Sequence, residues 1–167
     1  MKKLLSVLLV SLLLIGCSED RVLLDELTNK GSEKSELMYY ESGLFNGIGY
    51  DVFSDGQLKL EENYKEGKRD GLSKIWYENG QIKGESNWKN GVYDGLQKSW
   101  YENGQLKFEE NWKDGERDGL LKVWYENGQL GSENNWKDGS LDGLYKKWYE
   151  NGQLRYEWNY KDGKIIH

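Results

Sequence analysis

The stretch DGLSKIWYENGQIKGESNWKNG, residues 70–91, decides the fold, because close copies of it follow at a constant spacing of 24 residues. The glycine of its Glu-Asn-Gly segment and the first tryptophan recur with this spacing, as Gly80, Gly104, Gly128 and Gly152 and as Trp76, Trp100, Trp124 and Trp148. A fixed period of this length is typical of stacked supersecondary units that each pack on their neighbours. The sequence therefore predicts a repeat protein rather than one globular core.

Each unit contains two short runs of residues separated by turn signals. In the copy quoted above, the runs are residues 71–77 and 82–88, and Asn-Gly follows each of them. Asn-Gly between short aromatic-rich runs is a strong signal for a β-hairpin. Runs this short do not form stable helices, and the chain has no proline to interrupt a strand. We expect an all-β fold, an elongated and open antiparallel meander or solenoid of 24-residue hairpin repeats.

The length of the loop at Asn79-Gly80 determines the strand register. A two-residue loop, in which both residues have positive φ, places Lys74 opposite Glu85 and Trp76 opposite Lys83. The same offset gives three further ion pairs, Lys98 with Glu109, Lys122 with Glu133, and Lys146 with Glu157. A three-residue loop with a bulge instead places Leu72, Trp76, Ile82 and Trp88 on one face. The fourfold charge match favours the two-residue loop.

Composition argues against an aliphatic core and against nucleic acid as a partner. Only 37% of the residues are hydrophobic and 14% are aromatic, so aromatic side chains must supply most of the buried surface, each stacking on its copy in the next unit. The formal charge is −6, which opposes binding to phosphate backbones and to anionic lipid headgroups. We expect no nucleic acid partner.

The first 17 residues form a separate signal. Lys2 and Lys3 precede an apolar run that ends in Leu14-Ile15-Gly16-Cys17, the order of parts found in a secretory signal peptide. Leu14-Ile15-Gly16-Cys17, at the end of this signal, resembles the lipobox of bacterial lipoproteins. That resemblance implies cleavage before Cys17, diacylglycerol on its sulfur and stable anchoring by more than one acyl chain. In this class of lipoproteins, an aspartate directly after the cysteine favours retention in the inner membrane. The residue here is Ser18, which implies the outer membrane of the cell envelope.

These patterns divide the chain into five parts. Residues 1–16 are predicted to be the cleaved signal peptide and residues 17–21 a lipidated tether. Residues 22–45 read as a degenerate capping repeat, residues 46–163 as the repeat domain and residues 164–167 as its C-terminal end.

The repeat itself resembles a known family. Trp76-Tyr77-Glu78-Asn79-Gly80-Gln81-Ile82-Lys83, followed by Trp88-Lys89-Asn90-Gly91 and Asp94-Gly95, is similar to the bacterial MORN-repeat variant. The resemblance covers about residues 40–163 and implies an open sheet of consecutive hairpins. Members are often labelled antitoxin components of toxin–antitoxin systems. Gly131-Ser132 and Trp158 depart from the pattern of the other units.

Catalysis, metal binding and cofactor binding have no support in the sequence. The only histidine is His167 and the only cysteine is Cys17, so neither a metal-ligand spacing nor a nucleophile with a base is present. Glu85 and its copies could supply carboxylate pairs for glycoside cleavage, but each has a lysine partner in the expected register. The Asp-Gly segments are interpreted as turns. We therefore expect no enzyme, no metal and no cofactor.

The aromatic rows are the candidate binding residues. They are Trp76, Tyr77, Trp100, Tyr101, Trp124, Tyr125, Trp148 and Tyr149, and they serve either for packing between repeats or for capturing a partner. Positions that differ between units, Ser73, Gln97, Leu121, Tyr145 and Ile75, Ser99, Val123, Lys147, are where a specific epitope would lie. The leading hypothesis is a lipid-anchored scaffold that binds another protein, with an antitoxin-like or immunity role as one version. The alternatives are a module that binds cell-wall polysaccharide through Trp and Tyr and, third, a hydrolase.

Overall fold

The computed structural model of the chain describes residues 20–29 and 37–166, which form two β-sheets. The N-terminal part contains β1 (Arg21–Leu23), a 3-10 turn (Leu24–Glu26), β2 (Thr28–Asn29), β3 (Met38–Tyr40) and β4 (Gly43–Leu44). The repeat region contains β5 (Gly47–Val52), β6 (Leu58–Lys65), β7 (Lys68–Trp76), β8 (Ile82–Lys89), β9 (Val92–Tyr93), β10 (Gly95–Trp100), β11 (Leu106–Lys113), β12 (Glu116–Trp124), β13 (Leu130–Lys137), β14 (Ser140–Trp148), β15 (Leu154–Lys161) and β16 (Lys164–Ile166). The prediction of an all-β fold is confirmed.

The main sheet follows the order of the chain. Strands β5 to β16 pair with their sequence neighbours in antiparallel fashion, with the short β9 attached to β8, and β1 adds to β5 in parallel. Strands β2, β3 and β4 form a separate small sheet. The predicted open meander with two strands per repeat is therefore present, and its first edge is covered by the N-terminal segment.

The predicted two-residue loop at Asn79-Gly80 is wrong, although the charge register that it was based on is right. Gly80 donates its N–H to the Tyr77 carbonyl, and Gly80 alone in this loop has positive φ, at 80°. The loop therefore contains three residues, and a bulge at Lys83 absorbs the extra one, so that Trp76 faces Ile82 rather than Lys83. Beyond the bulge the expected pairing returns.

Two-residue turns occur on the opposite side of the sheet, at the other ends of the strands. Asn90 and Gly91 both have positive φ, at 51° and 87°, and join β8 to β9. Glu66-Gly67, Asp114-Gly115, Asp138-Gly139 and Asp162-Gly163 have the same conformation. We call this side of the sheet the turn edge and the side with the three-residue loops the loop edge.

One face of the sheet carries the charge ladder, and we call it the ladder face. Cross-strand pairing runs without interruption through Glu61, Lys74, Glu85, Lys98, Glu109, Lys122, Glu133, Lys146 and Glu157. The Nζ–carboxylate distances are 3.8 Å for Lys74–Glu85, 3.5 Å for Lys122–Glu133 and 3.0 Å for Lys146–Glu157. The four predicted Lys–Glu pairs are therefore confirmed as cross-strand neighbours, each worth about 0.2–1 kcal/mol.

The opposite face, which we call the inner face, contains the buried polar residues. Their side chains form one row across the sheet, Glu62, Ser73, Gln97, Glu110 and Asn134, each less than a tenth exposed. In a sheet that is one layer thick, such burial requires the flanking side chains to lean over this row.

A small hydrophobic core lies under the N-terminal segment. Val22, Leu27 and Phe45 are buried together with Tyr64, which belongs to β6 of the main sheet. Residues 20–29 and 37–45 therefore cover the end of the sheet. The predicted signal peptide, the predicted lipidation site Cys17 and the terminal His167 lie outside the described residues.

Candidate binding surface

The predicted tyrosine row links successive repeats. The hydroxyl of Tyr77 donates a hydrogen bond to the carbonyl oxygen of Trp100, at 2.7 Å. Its copies do the same, Tyr101 to Trp124 at 2.9 Å and Tyr125 to Trp148 at 2.8 Å. Tyr149, which is 48% exposed, forms no such bond within residues 20–29 and 37–166. Three of the four tyrosines are therefore engaged in packing one repeat on the next.

The asparagines of the three-residue loops reinforce this stacking. The amides of Asn79, Asn103 and Asn127 donate to the carbonyls of Glu102, Glu126 and Glu150, at 3.4, 3.1 and 3.0 Å. Within each loop, the asparagine Oδ1 accepts the N–H two residues later, at 2.9 Å in all three loops. Asn-Gly is thus selected here for both the turn and the contact with the next repeat.

Basic side chains cover three of the four tyrosine rings. Lys83 lies 5.4 Å from the ring centroid of Tyr77, and Lys107 and Arg155 have the same relation to Tyr101 and Tyr149. A cation in this position is attracted to the ring and occupies the face on which a sugar would stack. The third unit lacks this cation because it has Gly131, and there the Tyr125 ring lies against the backbone, 3.0 Å from where a Cβ would be.

The predicted tryptophan row lies on the ladder face beside the loop edge. Trp76, Trp100, Trp124 and Trp148 are half-buried and pair across the strands with Ile82, Leu106, Leu130 and Leu154. The structure therefore separates the two predicted rows: the tryptophans end strands on the ladder face, and the tyrosines begin the loops.

The sequence reasoning overlooked a second aromatic row, on the inner face beside the turn edge. Tyr93 lies between Trp88 and Trp112, with ring centroids 4.0 and 5.2 Å away. Arg69 lies 4.8 Å from the Trp88 ring, and Arg117 lies between Trp112 and Trp136, 5.3 and 5.1 Å from their rings. The expected stacking of each ring on its own copy is thus replaced by stacking on an intervening residue. The sequence contained a signal for this row, because Trp88 and Tyr93 are five residues apart. A two-residue turn between them brings residues with this spacing opposite each other.

The buried carboxylates of the inner face are compensated by arginine and tyrosine. Glu62 accepts a hydrogen bond from the Tyr64 hydroxyl at 2.6 Å and forms an ion pair with Arg69 at 2.8 Å. Burial, followed by the nearby Glu62 carboxylate, raises the pKa of Tyr64 far above its usual value. Glu110 and Arg117 repeat the ion pair at 2.8 Å. These groups stabilise the buried polar row, as expected for buried charges that are paired.

The positions that vary between repeats separate into two rows. In the first set, Ser73 and Gln97 are buried, 5% and 3% exposed, and the half-buried Leu121 and Tyr145 lie in the same row as cross-strand partners of Glu110 and Asn134. The second set, Ile75, Ser99, Val123 and Lys147, forms a more accessible row on the inner face, which we call the variable row. Its cross-strand partners Leu60, Gly84, Phe108, Ser132 and Tyr156 also differ between units.

The aspartates of the turn edge accept hydrogen bonds from the turns. The Asp70 carboxylate accepts the N–H of Asn90 at 3.1 Å, and Asp94 accepts that of Asp114 at 3.2 Å. The residues described by the structure include no group of three or more His, Cys, Asp or Glu side chains that could hold a metal ion. None of the described helices is long and apolar enough to span a membrane.

Comparison with known protein families gives one result. The family model described as MORN repeat variant matches four consecutive segments, residues 69–90, 93–114, 117–138 and 141–162. The four segments begin beside the turn edge, at Arg69, Tyr93, Arg117 and Leu141. Each contains one three-residue loop and the second strand of a hairpin. A search of curated proteins found no significant match.

Proposed function

This chain belongs to the MORN-repeat-variant family, and we propose that it is a non-enzymatic scaffold that binds another protein in the bacterial cell envelope. In this proposal, the signal peptide exports the chain and lipid on Cys17 anchors it to the membrane, with Ser18 favouring the outer membrane. MORN-repeat proteins are generally non-enzymatic scaffolds, which supports the first part. An antitoxin-like immunity role, the neutralisation of an exported toxin, is one form of such binding.

The variable row is the observation that carries the proposal. Tyr77, Tyr101 and Tyr125 are occupied by bonds between repeats, and the ladder face presents the same Lys–Glu alternation in every unit. The variable row instead changes from Ile75 through Ser99 and Val123 to Lys147 along the sheet. A surface that differs from unit to unit on a constant scaffold provides the specificity that a single protein partner requires.

Substitutions on the two faces of the sheet, compared in one binding experiment, test this proposal. The chain without its lipid is immobilised and exposed to envelope extract from its own cells, and the retained proteins are identified. In the first variant, Ser99→Arg and Val123→Arg alter the variable row. In the matched control, Leu96→Arg and Leu120→Arg alter neighbouring positions on the ladder face. We expect one partner to be retained by the wild type and the control and lost from the first variant. Retention by all three, or by none, would contradict the proposal.

A second candidate function, binding of cell-wall polysaccharide, is favoured by one observation. Trp158, 44% exposed, stacks on Tyr156 with ring centroids 4.4 Å apart and planes inclined by 17°. An exposed tryptophan ring that rests on the half-buried Tyr156 ring is suited to stacking on a sugar ring. Tryptophan fluorescence titrated with peptidoglycan fragments tests the idea, with Trp158→Ala as the control. A response that persists in Trp158→Ala, or no response in either protein, would exclude this pair as the site.

A further inference from the structure

The chain contains six Asn-Gly dipeptides. Asparagine deamidates most readily in this sequence, because glycine has no Cβ to hinder closure of the ring intermediate. All six asparagines are exposed, so access of solvent does not distinguish them. They are Asn46, Asn79, Asn90, Asn103, Asn127 and Asn151. What differs between them is how firmly the structure holds the side-chain amide.

Deamidation requires the asparagine side chain to leave its place in the turn. The nitrogen of the following glycine attacks Cγ of the asparagine, the side-chain nitrogen leaves as ammonia together with the amide proton, and a succinimide ring forms. Water then opens the ring at one of its two carbonyls, which leaves aspartate or isoaspartate. Each hydrogen bond that fixes the side chain must break first, and a bond of ordinary strength slows the reaction by about fivefold.

Four of the six asparagines are held by two side-chain hydrogen bonds each. In the loop of Asn103, Oδ1 accepts the N–H of Gln105 at 2.9 Å, and Nδ2 donates to the carbonyl of Glu126 in the next repeat at 3.1 Å. An equivalent pair of bonds to backbone groups holds the other three, which are Asn46, Asn79 and Asn127.

The remaining two asparagines are held less firmly. Within the part of the chain that the structure describes, the Asn151 side chain keeps only the bond to Oδ1, at 3.0 Å. The Asn90 side chain has no hydrogen bond in the same residues, although its backbone N–H donates to the Asp70 carboxylate. The attacking nitrogens are alike, because the N–H groups of Gly91 and Gly104 both donate to backbone carbonyls, at 2.8 and 2.9 Å.

We propose that Asn90 is the deamidation site of the folded protein, with Asn151 second and the four doubly bonded asparagines protected. The aspartate product fits the turn at position 90, because the later copies of this position are Asp114, Asp138 and Asp162, all with the same positive φ. Deamidation of Asn90 therefore adds a negative charge to the turn edge and gives the turn the residue that its copies already have.

The neighbouring turn provides positive charge for the new carboxylate. The Cβ of Lys68 lies 3.8 Å from where a Cβ on Gly91 would be, and Lys68 faces Lys65 across the preceding turn. Two like charges opposite each other are unfavourable, and a carboxylate nearby relieves that repulsion. At Asn103 the same reaction would instead place a carboxylate oxygen against the carbonyl of Glu126.

Peptide mapping by mass spectrometry tests the proposed order on the full chain. The folded protein is incubated at pH 8 and digested with trypsin in water labelled with oxygen-18, which marks any deamidation that occurs during digestion. We expect Asn90 to deamidate at least about tenfold faster than Asn103, because two hydrogen bonds distinguish them, and Asn151 at an intermediate rate. In concentrated guanidinium chloride, the matched control, the six rates should become similar because glycine follows each asparagine.

Two results would overturn this assignment. One is an equal rate for Asn90 and Asn103 in the folded protein, and the other is the folded-state order persisting in guanidinium chloride, which would assign the order to the sequence alone. Two variants test whether the turn accepts the product. Asn90→Asp should leave the midpoint of urea unfolding unchanged, whereas Asn103→Asp should lower it because a bond to the next repeat is lost. A lower midpoint for Asn90→Asp than for Asn103→Asp would overturn the fit of aspartate at position 90.

Discussion

The hydroxyl groups of Tyr77, Tyr101 and Tyr125 should hold the repeats together, and their removal can be measured one repeat at a time. Each hydroxyl donates to a carbonyl of the next repeat at 2.7–2.9 Å. A hydrogen bond of this kind contributes about 0.5–1.5 kcal/mol. Tyr101→Phe should therefore lower the free energy of unfolding by that amount. Stability in a repeat array is close to a sum of nearest-neighbour contributions, so the three substitutions together should cost about 1.5–4.5 kcal/mol.

Tyr149→Phe is the matched control. It removes the same atom from the same position of a loop, but Tyr149 forms no bond to a carbonyl within the described part of the chain. Urea unfolding of the chain without its lipid, followed by tryptophan fluorescence, measures the three single variants, their combination and the control. We expect Tyr149→Phe to change the free energy of unfolding by less than about 0.3 kcal/mol, as surface substitutions usually do. If Tyr149→Phe destabilised the protein as much as Tyr101→Phe, the tyrosine row would not act between repeats.

Three further predictions concern single positions. Gly115 has a φ of 86° in a two-residue turn, so Gly115→Ala should cost about 1–2 kcal/mol in urea unfolding, whereas Gly84→Ala, in a strand without positive φ, should be neutral or stabilising. Gly131→Lys should be more stable than Gly131→Ala by up to about 1 kcal/mol, because both variants add a Cβ that crowds the Tyr125 ring and only the lysine adds a cation over it. Because the folded state raises the pKa of Tyr64, stability is retained below the normal tyrosine pKa and falls as pH rises above 10, by up to about 1.4 kcal/mol per pH unit for this group.

Each of these predictions has an outcome that contradicts it. Equal effects of Gly115→Ala and Gly84→Ala would show that backbone conformation does not decide the cost. Equal stability of Gly131→Lys and Gly131→Ala would show that a cation over Tyr125 contributes nothing. For Tyr64→Phe, urea unfolding at pH 8 and pH 11 should show a smaller loss of stability with pH than the wild type. An equal loss would assign the alkaline transition to other groups.

The repeat period and the charges were sufficient to predict the sheet and most of its register. Lys74 and Glu85 face each other because strand pairing rewards opposite charges, and the same match recurs in every unit. The loop length was not predictable from Asn-Gly alone. Asn79-Gly80 and Asn90-Gly91 share the dipeptide but adopt different turns, because the Asn79 side chain bonds to both Gln81 and the next repeat and a bulge at Lys83 absorbs the additional residue.

The candidate site was less predictable than the fold. The recurrence of Trp76 and Tyr77 marks them as candidate residues, but recurrence does not distinguish contacts between repeats from contacts with a partner. Only the coordinates show that the Tyr77 hydroxyl is engaged with Trp100. The burial of Ser73 beside the accessible Ile75 also depends on which flanking side chains lean over the sheet, and strand alternation alone does not give that.

The central claim is that a protein partner binds the variable row on the inner face. The most direct test places a photoactivatable side chain at Ser99, in this row, or at the adjacent Lys98, which points to the ladder face, and irradiates cells that produce each protein. The account predicts a discrete protein adduct from position 99 and none from position 98. The same adduct from both positions, or from position 98 alone, would contradict it.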